Sequence, residues 1–166
     1  MTERVLRLVS NRRGPVDEDY GWNGGEAETL SADEGWRELR RELDRSRRFG
    51  HEFVLMRMSR LANGRRNADL VQSLPARLRS VDSVWGVRKQ AFLLLPEADR
   101  DVAVALVARL RRESPDLLPE DVRLAAFPTD GLTGGALLEL LDRRQTPAAA
   151  EVPTLDVALH HGLTRA

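Results

Sequence analysis

The chain has 166 residues, enough for one domain with tails, and its 42% apolar and 31% charged content is that of a folded globular protein. Its 26 basic and 26 acidic residues cancel, which excludes the net basic footprint of a general nucleic-acid binder or of a protein adsorbing to acidic membranes. It has no cysteine, which excludes disulfides, thiolate catalysis and cysteine-ligated metal centres. The first residues lack the apolar core of a secretory signal, and runs such as 91–95 are too short to span a bilayer. A cytoplasmic protein without membrane insertion is expected. Among the basic residues only Lys89 is lysine, a bias attributed to a GC-rich genome.

In chain order, residues 5–9 offer a short strand, Val-Leu-Arg-Leu-Val. After it come Gly, Pro, Asn and charge without periodicity, through Asp17-Glu18-Asp19 and Trp22-Asn23-Gly24-Gly25. Residues 1–30 are therefore read as a flexible or docking segment. Ser31-Ala32-Asp33-Glu34 has capping-box spacing and opens a helix to about residue 48. Trp36, Leu39, Leu43 and Arg47 share one of its faces, and Phe49-Gly50 ends it. Residues 51–58 read as an interior strand. A loop around Asn63-Gly64 precedes a helix over 67–79, with Leu70, Leu74 and Leu78 at i, i+4, i+8 and a kink or restart at Pro75. Residues 81–88 and 90–95 form a β-hairpin whose second arm is the more buried. A helix covers 99–112, stopped by Ser114-Pro115, and a strand covers 122–127. Pro128-Thr129-Asp130-Gly131 is a turn, and Thr133 caps a last helix to about 144. Residues 146–166 are an Ala/Pro linker and short tail, with a weak helix over 155–163. Helices separating strands, with one hairpin between, predict an α/β (α+β) sandwich around a mixed sheet.

Local phrases sharpen this. Leu94-Leu95-Pro96 runs into Ala98-Asp99-Arg100 and an Ala/Val/Leu/Arg helix. Phe127-Pro128-Thr129-Asp130-Gly131-Leu132-Thr133 runs into Leu137-Leu138 and Asp142. Arg47-Arg48-Phe49-Gly50 precedes the strand over 53–58. Over residues 32–145 or so, these resemble the GGDEF domain, the catalytic domain of diguanylate cyclases. The resemblance implies a palm-like nucleotidyl-cyclase fold over residues 31–145.

It also implies two phosphate-bridging metal ions held by carboxylates, one from the end of the first strand and one from the signature hairpin. Here that strand end reads Arg57-Met58-Ser59-Arg60. The signature falls on residues 87–91 counted back from Pro96, or on 88–92 if Phe92 is its last residue; neither register contains an acid. Hard divalent cations need oxygen ligands, which Arg and Lys cannot supply. The guanine-holding loop after the strand is short, with only Asn63, Asn67 and Asp69 as stand-ins. No catalytic residue, metal ligand or cofactor is therefore expected. The expected function is an inactive GGDEF-like domain serving as a regulatory or protein-interaction module in bacterial signalling, with a protein partner or a homodimer.

Two alternatives stand beside it. Arg79 and Asp82 match the Arg-x-x-Asp spacing of the family's inhibitory site, just upstream of the hairpin, which implies a receptor for cyclic di-GMP or GTP. Arg41 to Asp44 and Arg66 to Asp69 share the spacing, so position alone singles out the third. An atypical nucleotidyl-transfer enzyme would need carboxylates converging in one cleft, drawn from Asp69, Asp82 and Glu97. Arg57, Arg60, Arg65, Arg66, Arg88 and Lys89 form a candidate anion pocket, or a solvated basic rim, at the former catalytic mouth. Adjacent His160 and His161 point apart on a helix and make a poor metal pair. His51 is read as a surface or turn residue. Met56 and Met58 are read as packing on one strand face, and Trp36 and Trp85 as core or interface.

Overall fold

The computed structural model describes residues 26–59 and 67–143. They fold as β1 (Glu28–Leu30), α1 (Ala32–Phe49), β2 (Phe53–Ser59), α2 (Asn67–Ser73), a 3-10 turn (Pro75–Arg77), β3 (Ser83–Val87), β4 (Gln90–Pro96), α3 (Arg100–Glu113), β5 (Asp121–Phe127) and α4 (Gly134–Asp142). The five strands make one sheet in the order β1-β3-β4-β2-β5. β1 lies parallel to β3, and the other three pairings are antiparallel, so the sheet is mixed as expected.

The helices start where the sequence supplies caps. Ser31 and Glu34 form the reciprocal capping box of α1, Asp99 caps α3 through the Val102 N–H, and Thr133 caps α4 through the Ala136 N–H. α1 ends on Gly50, whose φ of +71° lets its N–H return to the Ser46 carbonyl at 2.8 Å. Pro75 stops α2 at Ser73, because proline has no N–H to donate and its ring crowds the preceding turn. The helix read over 67–79 is thus a two-turn helix and a 3-10 turn. The stripe of Leu70, Leu74 and Leu78 is nonetheless buried throughout.

The sheet separates two apolar layers. α1 and α4 cover one face with Leu39, Leu43, Leu137 and Leu141 against Phe53, Leu55, Trp85, Phe92 and Leu94. α2, Leu74 just after it and α3 cover the other, with Leu70, Leu74, Leu106 and Leu110 against Val54, Met56, Met58, Leu93 and Leu95. Met56 and Met58 pack together on that face, as read. Trp85 is fully buried, whereas Trp36 is half-buried and meets Trp85 and Phe92 edge-on at centroid distances of 5.5 and 4.9 Å.

One element was not legible. The ordered chain was expected from Ser31, but Glu28–Leu30 joins the sheet by pairing with residues 83–85. Three residues carry no alternation, and only the parallel partner makes them a strand. The strand read over 5–9, the loop around Asn63-Gly64 and everything from residue 144 onward, including His160 and His161, lie outside the described residues.

At the outer edge, β5 turns through Asp130. Its carboxylate accepts the Ala126 N–H at 2.7 Å, and its own N–H returns to the Ala126 carbonyl at 2.7 Å.

α1 approaches the sheet closely because residue 35 is glycine. A Cβ there would lie 2.3 Å from Cγ of Trp85. Alanine is the better helix former, yet here it would have to displace a buried indole. We expect Gly35→Ala to lower the unfolding free energy by about 2 kcal/mol, read from urea denaturation. α1 also buries Glu42, 3% exposed, beside the Ser46 hydroxyl and 3.7 Å from Arg45. Desolvation raises its pKa above the ordinary 4.5. The stability associated with this group is then fully present below pH 4.5 and lost as pH rises through the raised value. Glu42→Gln should therefore be more stable than the parent at pH 7 and show a flatter stability profile above pH 4.5, checked by thermal melts across pH.

Candidate functional site

Ser59 at the end of β2 stands opposite Gln90, the first residue of β4, and Asp121, the first of β5. The β3–β4 turn, Arg88-Lys89, lies just beyond, and α4 delivers its last residue, Asp142, to the same end of the sheet. This is the mouth where sequence placed the anion pocket.

Arg57 does not line an open pocket there. Strand alternation aims it at the α1/α4 face, between Phe92 and Arg123 on the flanking strands. It is 6% exposed, and its Nη1 pairs with Oδ1 of Asp142. Its Nε is enclosed without a hydrogen-bond partner. Arg88 and Lys89 are exposed on the turn, Arg88 at a φ of +53°. Arg60, Arg65 and Arg66 lie outside the described residues, as does Asn63. Arg57 thus stands at this mouth already held by an internal carboxylate.

Asp142 and Asp121 were not among the candidates, since their partners are 85 and 62 residues away in sequence. Asp121 accepts from the Ser59 hydroxyl at 2.5 Å and from Arg123 Nε at 2.8 Å. Burial opposes its charge, but these bonds and the Arg123 and Arg57 charges outweigh it and hold its carboxyl below the ordinary 3.8. Arg123 also donates to the carbonyls of Leu141 and Arg143, a cation on the negative end of α4. Asn67, one of the stand-ins for base recognition, gives its side-chain amide to the Gln90 carbonyl at 2.5 Å. Gly86 makes room for it, since a Cβ there would be 2.8 Å from the same amide nitrogen.

The described residues at this mouth do not fit a phosphate-bridging metal. Asp121 and Asp142 are each already bound by a guanidinium, and the turn adds two more cations. Among the described residues no group of three or more His, Asp or Glu side chains is placed to hold a metal ion. The three acids considered for an enzyme also divide. Asp82 and Glu97 flank the end of the β3–β4 ladder away from the turn. Asp69 lies in the first turn of α2, beside Asn67 and therefore toward the turn.

Arg79 and Asp82 do meet, but as a closed bracket. Asp82 is 0% exposed. Its Oδ2 accepts the Arg79 backbone N–H at 2.9 Å, and its Oδ1 accepts from Arg79 Nη2 at 3.0 Å and Nε at 3.3 Å. Arg79 Nη2 also donates to the Pro96 carbonyl at 2.9 Å, and the Asp82 carbonyl accepts the Glu28 N–H at 3.1 Å. The pair joins β1, β3 and β4. As folded, the Asp82 carboxylate is fully enclosed, while the Arg79 side chain keeps partial exposure.

The fold as a whole is similar to that of a known structure. A DGC protein from Thermotoga maritima superposes with a TM-score of 0.57 at 16% identity, covering 69% of this chain and 94% of that one. The fold is diguanylate cyclase-like. No protein-family model and no curated protein matches the sequence. No helix among the described residues is long and apolar enough to cross a membrane.

Removing the Arg79 guanidinium would take two hydrogen bonds and a neutralising charge from a buried carboxylate. Arg79→Ala should cost about 3 kcal/mol in unfolding free energy, measured by urea denaturation.

Proposed function

We propose that this chain is a diguanylate cyclase-like domain without cyclase activity, acting in the cytoplasm as a regulatory, protein-binding module of bacterial signalling. The observation that carries the reading is the Arg57–Asp142 pair at the end of β2. Phosphoryl transfer is almost entirely positioning and charge neutralisation by metal ions and cations. A domain of this fold that cyclised GTP through bridging metals would need oxygen ligands at this strand end and on the adjacent turn. Here the strand end carries a guanidinium tied to a carboxylate, and the turn carries Arg88 and Lys89.

What remains suits recognition. The core is intact on both faces of the sheet, so the surface is held rigidly. A homodimer or another protein is the expected partner.

The test is direct. Purified protein is incubated with GTP and Mg²⁺ or Mn²⁺, and products are separated by chromatography. No cyclic di-GMP above the protein-free control is expected; metal-dependent product formation would overturn the reading.

A further inference from the structure

Arg57 is almost wholly out of water yet incompletely used. It is 6% exposed, its Nε has no hydrogen-bond partner, and Asp142 engages it through one oxygen. Asp142 is a residue of the opposite kind. Its side chain is 73% exposed, and it is the last residue of α4. The helix end does not depend on this contact, because Arg123 separately holds the carbonyls of Leu141 and Arg143. Beside it the turn presents Arg88 and Lys89, for which the described residues supply no ion pair or hydrogen bond. A buried guanidinium binds a carboxylate best as a two-point fork.

The geometry points to an exchangeable carboxylate site: an acidic segment of a partner protein replaces Asp142 on Arg57 and is flanked by Arg88 and Lys89. The ligand already on Arg57 is a carboxylate, which is why the occupant is an acidic segment. The partner's carboxylate takes the fork that Asp142 leaves half unused, and the cations of the turn bind its neighbours. In the free protein Asp142 keeps the buried charge neutralised, so the site is closed until a better carboxylate arrives. The inference rests on the protein-binding reading above and names the partner's chemistry.

Hexaglutamate serves as the probe, titrated by calorimetry at low ionic strength because exposed charge pairs are screened by salt. Weak, salt-sensitive binding to the parent is expected. Asp142→Asn should bind several-fold more tightly, since it vacates the guanidinium. Glu139→Gln removes the same charge from an exposed position on the same helix, where Glu139 pairs with Arg143, and should change binding little. Arg57→Met should lose binding; if that variant fails to fold, the comparison of the two α4 variants decides alone. Equal tightening by Asp142→Asn and Glu139→Gln overturns the inference. So does binding of inorganic phosphate with none of hexaglutamate, which would make the ligand a small oxoanion. Cyclase activity in the GTP assay would overturn the function proposed above and leave these results standing.

Discussion

Strand β2 sets the terms for the rest of the molecule. It is paired along its whole length with β4 on one edge and β5 on the other, and residues 53–58 are buried. Such a strand must be apolar on both faces, and five of those six residues are. The sixth is Arg57. A charge in that position is tolerable only when neutralised, because an unpaired buried ion costs several kcal/mol. The neutralising group comes from α4, 85 residues later in sequence. The charge buried on the central strand is therefore answered by the last helix, which packs on the face toward which Arg57 points.

The mouth of the fold is in consequence a set of internal ion pairs. Arg57 with Asp142 and Arg123 with Asp121 neutralise one another, while Ser59 donates to Asp121 and Arg123 also holds the carbonyls at the end of α4; Arg57 Nε is left over. A fold can be kept while the chemistry at its strand ends changes, because packing depends on the apolar layers and chemistry on a few polar positions. The far end of the sheet is closed by a different device. There the Arg79–Asp82 bracket spans three strands, with the Asp82 carboxylate fully buried beneath the Arg79 guanidinium.

Much of this architecture was legible in the sequence where the signals are local. Ser31, Asp99 and Thr133 mark helix starts by a mechanism confined to four residues, and Gly50 and Pro75 mark stops the same way. The hairpin and the buried strands followed from apolar runs bounded by Pro96 and the Arg88-Lys89 turn. Information spread over long separations was not legible. β1 is a strand only because β3 lies beside it. Glu42 reads as one more charge on a charged helix, and only the folded chain shows it buried. Likewise Arg57 could be recognised as a cation where an acid was expected, but its pairing with Asp142 could not, because no local pattern links the two residues. The spacing of Arg79 and Asp82 was visible, and their mutual satisfaction was not.

The arrangement at Ala126 has a bearing on behaviour at high concentration. β5 is the outermost strand on its side of the sheet, and an open strand edge is a template for pairing with another chain. Asp130 folds back to take both the N–H and the carbonyl of Ala126, so the final stretch of that edge is already hydrogen-bonded. The turn after β5 thus acts as a stopper: a strand approaching from another molecule finds the outward groups of Ala126 in use and cannot extend its ladder along the full length of β5.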